Sequence, residues 1–235
     1  MLKNFKSQIK TLLNLYPSWR CKLEYEHQTF TRFNERPVEY SFVFRKLAEV
    51  YPKTVLDVGT GMTALPHLIR TCGALVTAID NVRGYWPEGM FNRHYHVLDD
   101  DICDTRLKGK FDVITCVSVL EHIEQADAAV RNMFSLLNPE GHLILTFPYT
   151  EHSYVRNVYQ LPGSSYGQSA PYITQSFSRV EITRWLRESQ AAIIEQEYWQ
   201  FWHGDHWTVG DQVTPPVRAT VNDKHQITCL HMSKA

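Results

Sequence analysis

Short apolar runs alternate with longer amphipathic ones through most of this chain. The runs at 54–58, 74–80, 94–98, 111–117 and 142–148 are rich in Val, Ile, Leu and Phe and are bounded by turn residues, which predicts buried strands. Between them, 65–70 and 124–137 carry apolar residues at helical spacing; Gly73 marks one exit, and Asn138-Pro139-Glu140-Gly141 supplies a turn after the other. The rhythm breaks over 149–177. It resumes with Ser178-Arg179-Val180-Glu181, a capping-box signature that opens a helix to about Ser189, and with a sixth strand at 191–201 and a seventh at 225–232. Strands alternating with helices predict an α/β fold with a doubly wound, mostly parallel, seven-stranded sheet.

Ahead of the first strand, Asn34-Glu35-Arg36-Pro37 reads as a helix start, with Val38, Phe42, Leu47 and Val50 as its apolar stripe. Residues 1–33 form a separate helical extension. There Phe5, Ile9, Leu12, Leu13 and Tyr16 predict one amphipathic helix up to Pro17, interleaved with Lys3, Lys6, Lys10, Arg20 and Lys22. A basic helix of this kind can touch membranes or RNA; a solvated face is the expectation here. Residues 34–235 are expected to be one domain, with 149–177 and 203–222 as aromatic-rich insertions after strands five and six that shape a substrate pocket. The first holds six aromatics, from Tyr149 to Phe177.

Composition narrows the class. With 24 basic and 25 acidic residues among 235, the chain has no global pull on a phosphate backbone, so no nucleic-acid partner is expected. No apolar run approaches a membrane span and no membrane partner is expected. The five cysteines form no C-x-x-C pair, which fits reduced thiols and a cytoplasmic enzyme.

The chemistry gathers around Thr54-Val55-Leu56-Asp57-Val58-Gly59-Thr60-Gly61-Met62-Thr63-Ala64, a strand running into a glycine turn and a helix that Thr63 is placed to cap. Gly59 and Gly61 allow the tight turn and the close approach of a ligand. Gly59-x-Gly61-x-x-Ala64 with Asp80 also satisfies a relaxed dinucleotide fingerprint, so an NAD-dependent oxidoreductase is one reading and a non-catalytic binding protein another. Asp57 speaks against a diphosphate, because a carboxylate at the strand's end repels it and suits an ammonium or sulfonium group.

The loop resembles motif I of class I S-adenosylmethionine-dependent methyltransferases, with Thr63 where many members carry a third glycine. Phe111–Val117 followed by Ser118-Val119-Leu120-Glu121-His122-Ile123, and the Asn-Pro-x-Gly turn before a strand ending in Pro148, are similar to the same family's later motifs. The resemblance implies a Rossmann-like sheet and S-adenosylmethionine as cofactor. Its contacts would come from Asp57, Gly59, Thr60 and Gly61, from Asp80 and Asn81, from Asp101 and Ile102 at the adenine, and from Val117 and Ser118. The helix bearing Arg36 and Tyr40 is a candidate lid, with a surface role favoured for Arg36. Some members hold a divalent metal through Glu-x-x-Glu-His; Ser118 replaces the first glutamate, so no metal is expected. His122 is the candidate general base, with a packing role as the competing reading; the His203–His206 cluster and His152 stand behind it. The expected reaction is methylation of an oxygen or nitrogen on a small molecule, with a sugar or glycan precursor as acceptor.

Overall fold

A computed structural model describes residues 2–28 and 34–234. The chain divides into two compact units at Asn34/Glu35. In the first, α1 runs unbroken over Leu2–Glu26 and contains Pro17, where the sequence predicts the helix to stop. A proline removes one donor and crowds the carbonyl four residues back, but leaves later residues free to be helical. The Arg, Lys, Leu and Glu residues from Arg20 to Glu26 favour doing so.

The second unit is built on one sheet. Its strands are β1 (Thr54–Val58), β2 (Leu75–Asp80), β3 (Leu98–Asp99), β4 (Phe111–Val117), β5 (Leu137–Pro148), β6 (Ala191–Trp202), β7 (Gln212–Ala219) and β8 (Ile227–Lys234), in the order β3-β2-β1-β4-β5-β8-β6-β7. Strands β1 to β5 pair in parallel, and β8 joins β5 antiparallel. The sheet therefore has eight strands rather than seven. The additional one, β7, carries Pro215 and Pro216 and pairs only with β6 at the sheet's edge, where a missing N–H is tolerated. Eight of the twenty residues of the 203–222 segment, expected from sequence to be an insertion, thus form a strand. Conversely, the third strand shrinks to two residues, and 94–97 lie outside it.

Period-two alternation sorts the strands' side chains onto two faces. Val55, Val113, Val117 and Ile144 meet Phe42, Val43 and Leu47 of α2 (Arg36–Val50) and Leu65 and Ile69 of α3 (Leu65–Thr71). Leu56, Ile114, Cys116, Leu143 and Leu145 meet Met133 and Phe134 of α5 (Ala126–Leu136) and Ile182 and Trp185 of α6 (Arg179–Ser189). The Ser178 capping box is formed as the sequence predicts, with Glu181 reaching back to the Ser178 N–H. Thr63 does not cap α3. Its hydroxyl donates to the Thr60 carbonyl at 2.9 Å, and Ala64 occupies the cap position.

A third cluster joins Val158 and Tyr159 of the 149–177 segment to Phe201, Trp202 and Trp207. Backbone bonds from Ser165 N to Thr208 O and from Gly210 N to Gly163 O stitch the two segments together. Of the aromatic residues that looked like pocket lining, Tyr159, Tyr166 and Trp207 belong to this cluster and Tyr149 and Phe177 to the core under the sheet.

Candidate active site

The carboxyl ends of β1, β2 and β4 open into a cleft of ≈ 870 Å³. Its floor is the glycine turn. Gly59 and Gly61 adopt φ of 71° and 55°, left-handed values that a side chain disfavours. A Cβ on Gly59 would stand 2.2 Å from Val119 Cγ1, so glycine is demanded by space as well as by conformation. Gly59→Ala is accordingly expected to cost at least about 2 kcal/mol in urea unfolding, from left-handed strain plus overpacking. An unchanged unfolding midpoint would mean that Val119 yields freely.

Asp80 ends β2, and burial raises its pKa. Its Oδ2 accepts from Gly61 N at 2.7 Å and its Oδ1 from Trp86 Nε1 at 3.0 Å. Asn81 caps the single turn α4 (Val82–Tyr85) by accepting from Gly84 N, and its Nδ2 donates to Asp101 Oδ2 at 3.1 Å. The three consecutive aspartates separate by role. Asp99 accepts from Arg83 N, and Asp100 is held by Thr105 and Arg106. Asp101 sits between Asn81 and Cys103 N, beside Ile102 on the cleft wall.

Gly59, Thr60, Gly61, Asp80, Asn81, Asp101, Ile102, Ser118 and His122 line this one cleft. Asp57 and Val117 do not. They border an adjoining pocket of ≈ 20 Å³, about the room of one water, together with Arg36, Tyr40 and Thr60. The alternation along β1 explains this placement: Asp57 falls on the face covered by α2, where Thr60 Oγ1 and Thr115 Oγ1 donate to it at 2.6 and 2.7 Å. Burial pushes its pKa up to about 6.

Arg36, expected at the surface, lines both cavities. Its guanidinium donates to Glu39 Oε2 at 2.8 Å, while Ser118 Oγ and Thr146 Oγ1 donate to Glu39 Oε1 at 2.5 and 2.6 Å. Ser118, at φ 50°, thereby ties the end of β4 to α2. Nearby, burial and the Glu39 charge push Glu35 up to about 7. Glu121 is buried with Oε2 unpartnered, and desolvation raises its pKa well above the usual carboxylate range.

His122 lines the same cleft as the glycine turn. Its Nδ1 lies 2.9 Å from the Ile173 carbonyl, and its ring meets Tyr172 edge-on at 4.8 Å. A carbonyl can only accept, so Nδ1 carries the proton and the neutral ring keeps its lone pair on Nε2. Burial lowers the pKa. Of the 149–177 segment, Pro171 and Tyr172 reach the cleft; no residue of 203–222 does. From sequence, Tyr85, Trp86, Pro87 and Phe91 read as an aromatic load suited to a pocket rim or to buried packing, and the first three line the cleft; Tyr172 is one of six aromatics in 149–177 and is not singled out. The only signal was the aromatic density of the loops that follow Asp80 and Pro148.

A family model described as a methyltransferase domain matches residues 25–196. A ubiquinone biosynthesis O-methyltransferase of Coxiella burnetii (strain Dugway 5J108-111) is 25% identical over 171 residues, covering 68% of this chain and 71% of that protein. Among solved structures, a 1,6-didemethyltoxoflavin-N1-methyltransferase of Burkholderia thailandensis, with bound 1,6-didemethyltoxoflavin and S-adenosylhomocysteine, superposes with a TM-score of 0.55 at 16% identity, over 83% of this chain and 77% of that one. Magnesium protoporphyrin IX methyltransferase of Synechocystis PCC 6803, with bound S-adenosylhomocysteine, gives 0.53 at 17% identity, over 98% and 100%. The chain belongs to the methyltransferase domain family and is a class I S-adenosylmethionine-dependent methyltransferase. The NAD-dependent alternative falls with that assignment.

Proposed function

We propose that this enzyme methylates a hydroxyl oxygen on a flat, aromatic small molecule, with His122 as general base. The observation that carries the reading is the placement of His122 at the cleft, with its protonated Nδ1 held by Ile173 and with Tyr172 packed against the ring. Tyr172 in turn approaches Tyr85 at 5.9 Å, so aromatic faces adjoin the basic nitrogen. Offset or edge-on contacts of this kind suit a planar acceptor. The name of the Coxiella relative, an O-methyltransferase, favours oxygen as the atom methylated. Nothing in the cleft favours the sugar acceptor expected from sequence.

The cleft's residues fit the cofactor. S-adenosylmethionine, when bound, supplies an electrophilic methyl carbon. Asp80 offers a carboxylate to ribose hydroxyls, Asp101 and Ile102 border the adenine side, and Gly59 to Gly61 leave backbone open for close approach. Arg36, over the end of β4, is a cation within reach of a carboxylate guest. A cleft of ≈ 870 Å³ is large enough for cofactor and acceptor together. His122 would take the hydroxyl proton as the oxygen attacks.

Two measurements test the reading. S-adenosylhomocysteine at a hundred times its Kd should stabilise the fold by about 2.7 kcal/mol through mass action, raising Tm, while NAD should leave Tm unchanged. Incubation with labelled S-adenosylmethionine and a panel of phenols, matched anilines and sugars should label the phenols. Preferential labelling of amines or sugars would overturn the acceptor assignment.

A further inference from the structure

The N-terminal unit presents an uncovered amphipathic face. Leu12, Tyr16 and Trp19 on α1 are 66%, 68% and 53% exposed, and Leu15 is exposed as well. Leu12, Tyr16, Trp19 and Leu23 follow one another at steps of four, three and four, and Leu15 lies three residues after Leu12 and four before Trp19, so the five form a single stripe. Tyr16 and Trp19 pack ring to ring at 6.0 Å within it. At about 100° per residue, Arg20 and Lys22 fall on the two flanks of the stripe and Lys10 opposite it. Five basic residues and no acidic one precede Glu24. The stripe exists because the helix continues past Pro17: a helix ending there would lack Trp19, Leu23 and both flanking cations.

We propose that α1 is a surface anchor for an anionic lipid bilayer, lying in the interface with the stripe toward the acyl chains and Arg20 and Lys22 at the headgroups. This goes beyond the methyl-transfer reading and replaces the expectation of no membrane partner. A leucine and aromatic face flanked by basic residues is the pattern of helices that lie on, rather than cross, a membrane. Among the described residues no helix is long and apolar enough to span one. Charge complementarity selects the occupant. A second copy of the chain would set one net-basic helix, five cations against Glu24 and Glu26 with Lys22 paired to Glu26 at 3.5 Å, against another, whereas anionic headgroups neutralise the excess. Lysine and arginine stems can also extend along the apolar surface while their charges stay in water.

The test uses the full-length protein and cosedimentation with phosphatidylcholine vesicles, with and without phosphatidylglycerol. Affinity for the anionic vesicles should be about tenfold higher or more, and should fall as salt is raised. Trp19→Glu should abolish sedimentation, and Arg20→Glu with Lys22→Glu should remove the preference for phosphatidylglycerol. Both variants should keep the wild-type Tm and S-adenosylhomocysteine affinity, since neither touches the cleft. The proposal is overturned if anionic vesicles do not bind the protein, if Trp19→Glu binds as well as wild type, or if wild type is a dimer in ultracentrifugation that Trp19→Glu dissociates.

Discussion

Asp80→Ala is expected to weaken S-adenosylhomocysteine binding at least about tenfold in calorimetry while the fold persists. Hydrogen bonds to a charged acceptor contribute roughly 1.5–3 kcal/mol each, and one such bond already corresponds to about a tenfold change. Two ribose hydroxyls would lose their acceptor together. The unliganded geometry adds a second consequence. Asp80 already holds Gly61 N and Trp86 Nε1, so its loss also loosens the glycine turn and the indole beside it. Asp80→Asn separates the two contributions, since an amide keeps one acceptor oxygen without the charge, and it should fall between wild type and alanine. The fold should survive because β2 is anchored by its pairing with β1 and by Ile79 in the core, neither of which involves the carboxylate. Unchanged binding by Asp80→Ala would place the ribose elsewhere.

The central parallel strands β1 and β4 and the second half of β5 were legible because they are covered on both faces. Burial on both sides demands continuous apolar runs, and Val55 to Val58 or Leu143 to Phe147 can hardly be read otherwise. The edges were not. β7 is half-exposed and contains two prolines, and β3 is two residues long, so neither leaves the hydrophobic trace that a buried strand must. The same physics divides the site. Gly59, Gly61, Asp80 and Asp101 follow strand ends at fixed distances, and strand ends are what periodicity locates. Asp57 could be found but not aimed: its identity is readable in the motif, while its burial beneath α2 follows from which face each β1 residue takes. Trp86 and Tyr172 lie on loops whose course is set by tertiary contacts, so only their aromatic character was visible. Arg36 was misjudged because a charged residue in the first turn of a helix ordinarily faces solvent. Its place on the cleft wall, with 31% of the side chain still exposed, depends on Glu39, three residues on, which Ser118 and Thr146 fix from positions far away in sequence.

His122→Ala should reduce turnover by about 10²–10⁴-fold, the usual contribution of a positioned general base, with S-adenosylhomocysteine affinity little changed. The direction of the histidine's pKa shift makes the pH profile a second readout. Burial disfavours the imidazolium, so the ring stays neutral to lower pH than an exposed histidine, whose pKa is about 6.5. The rate should therefore be flat through neutrality and fall only below that range, as Nε2 takes up a proton and ceases to be a base. In the alanine variant that acid limb should disappear. The competing role is mechanical: the ring holds the Ile173 carbonyl and packs on Tyr172, so it could serve only to seat the segment that closes the cleft. His122→Asn distinguishes the two, because a side-chain amide still offers an N–H donor toward Ile173 but no basic nitrogen. A base predicts that asparagine is as impaired as alanine, with Tm preserved and exogenous imidazole restoring part of the rate. A seating role predicts that asparagine recovers most of the activity and that alanine loses stability and cofactor affinity together. If that second pattern is observed, His122 is not the base.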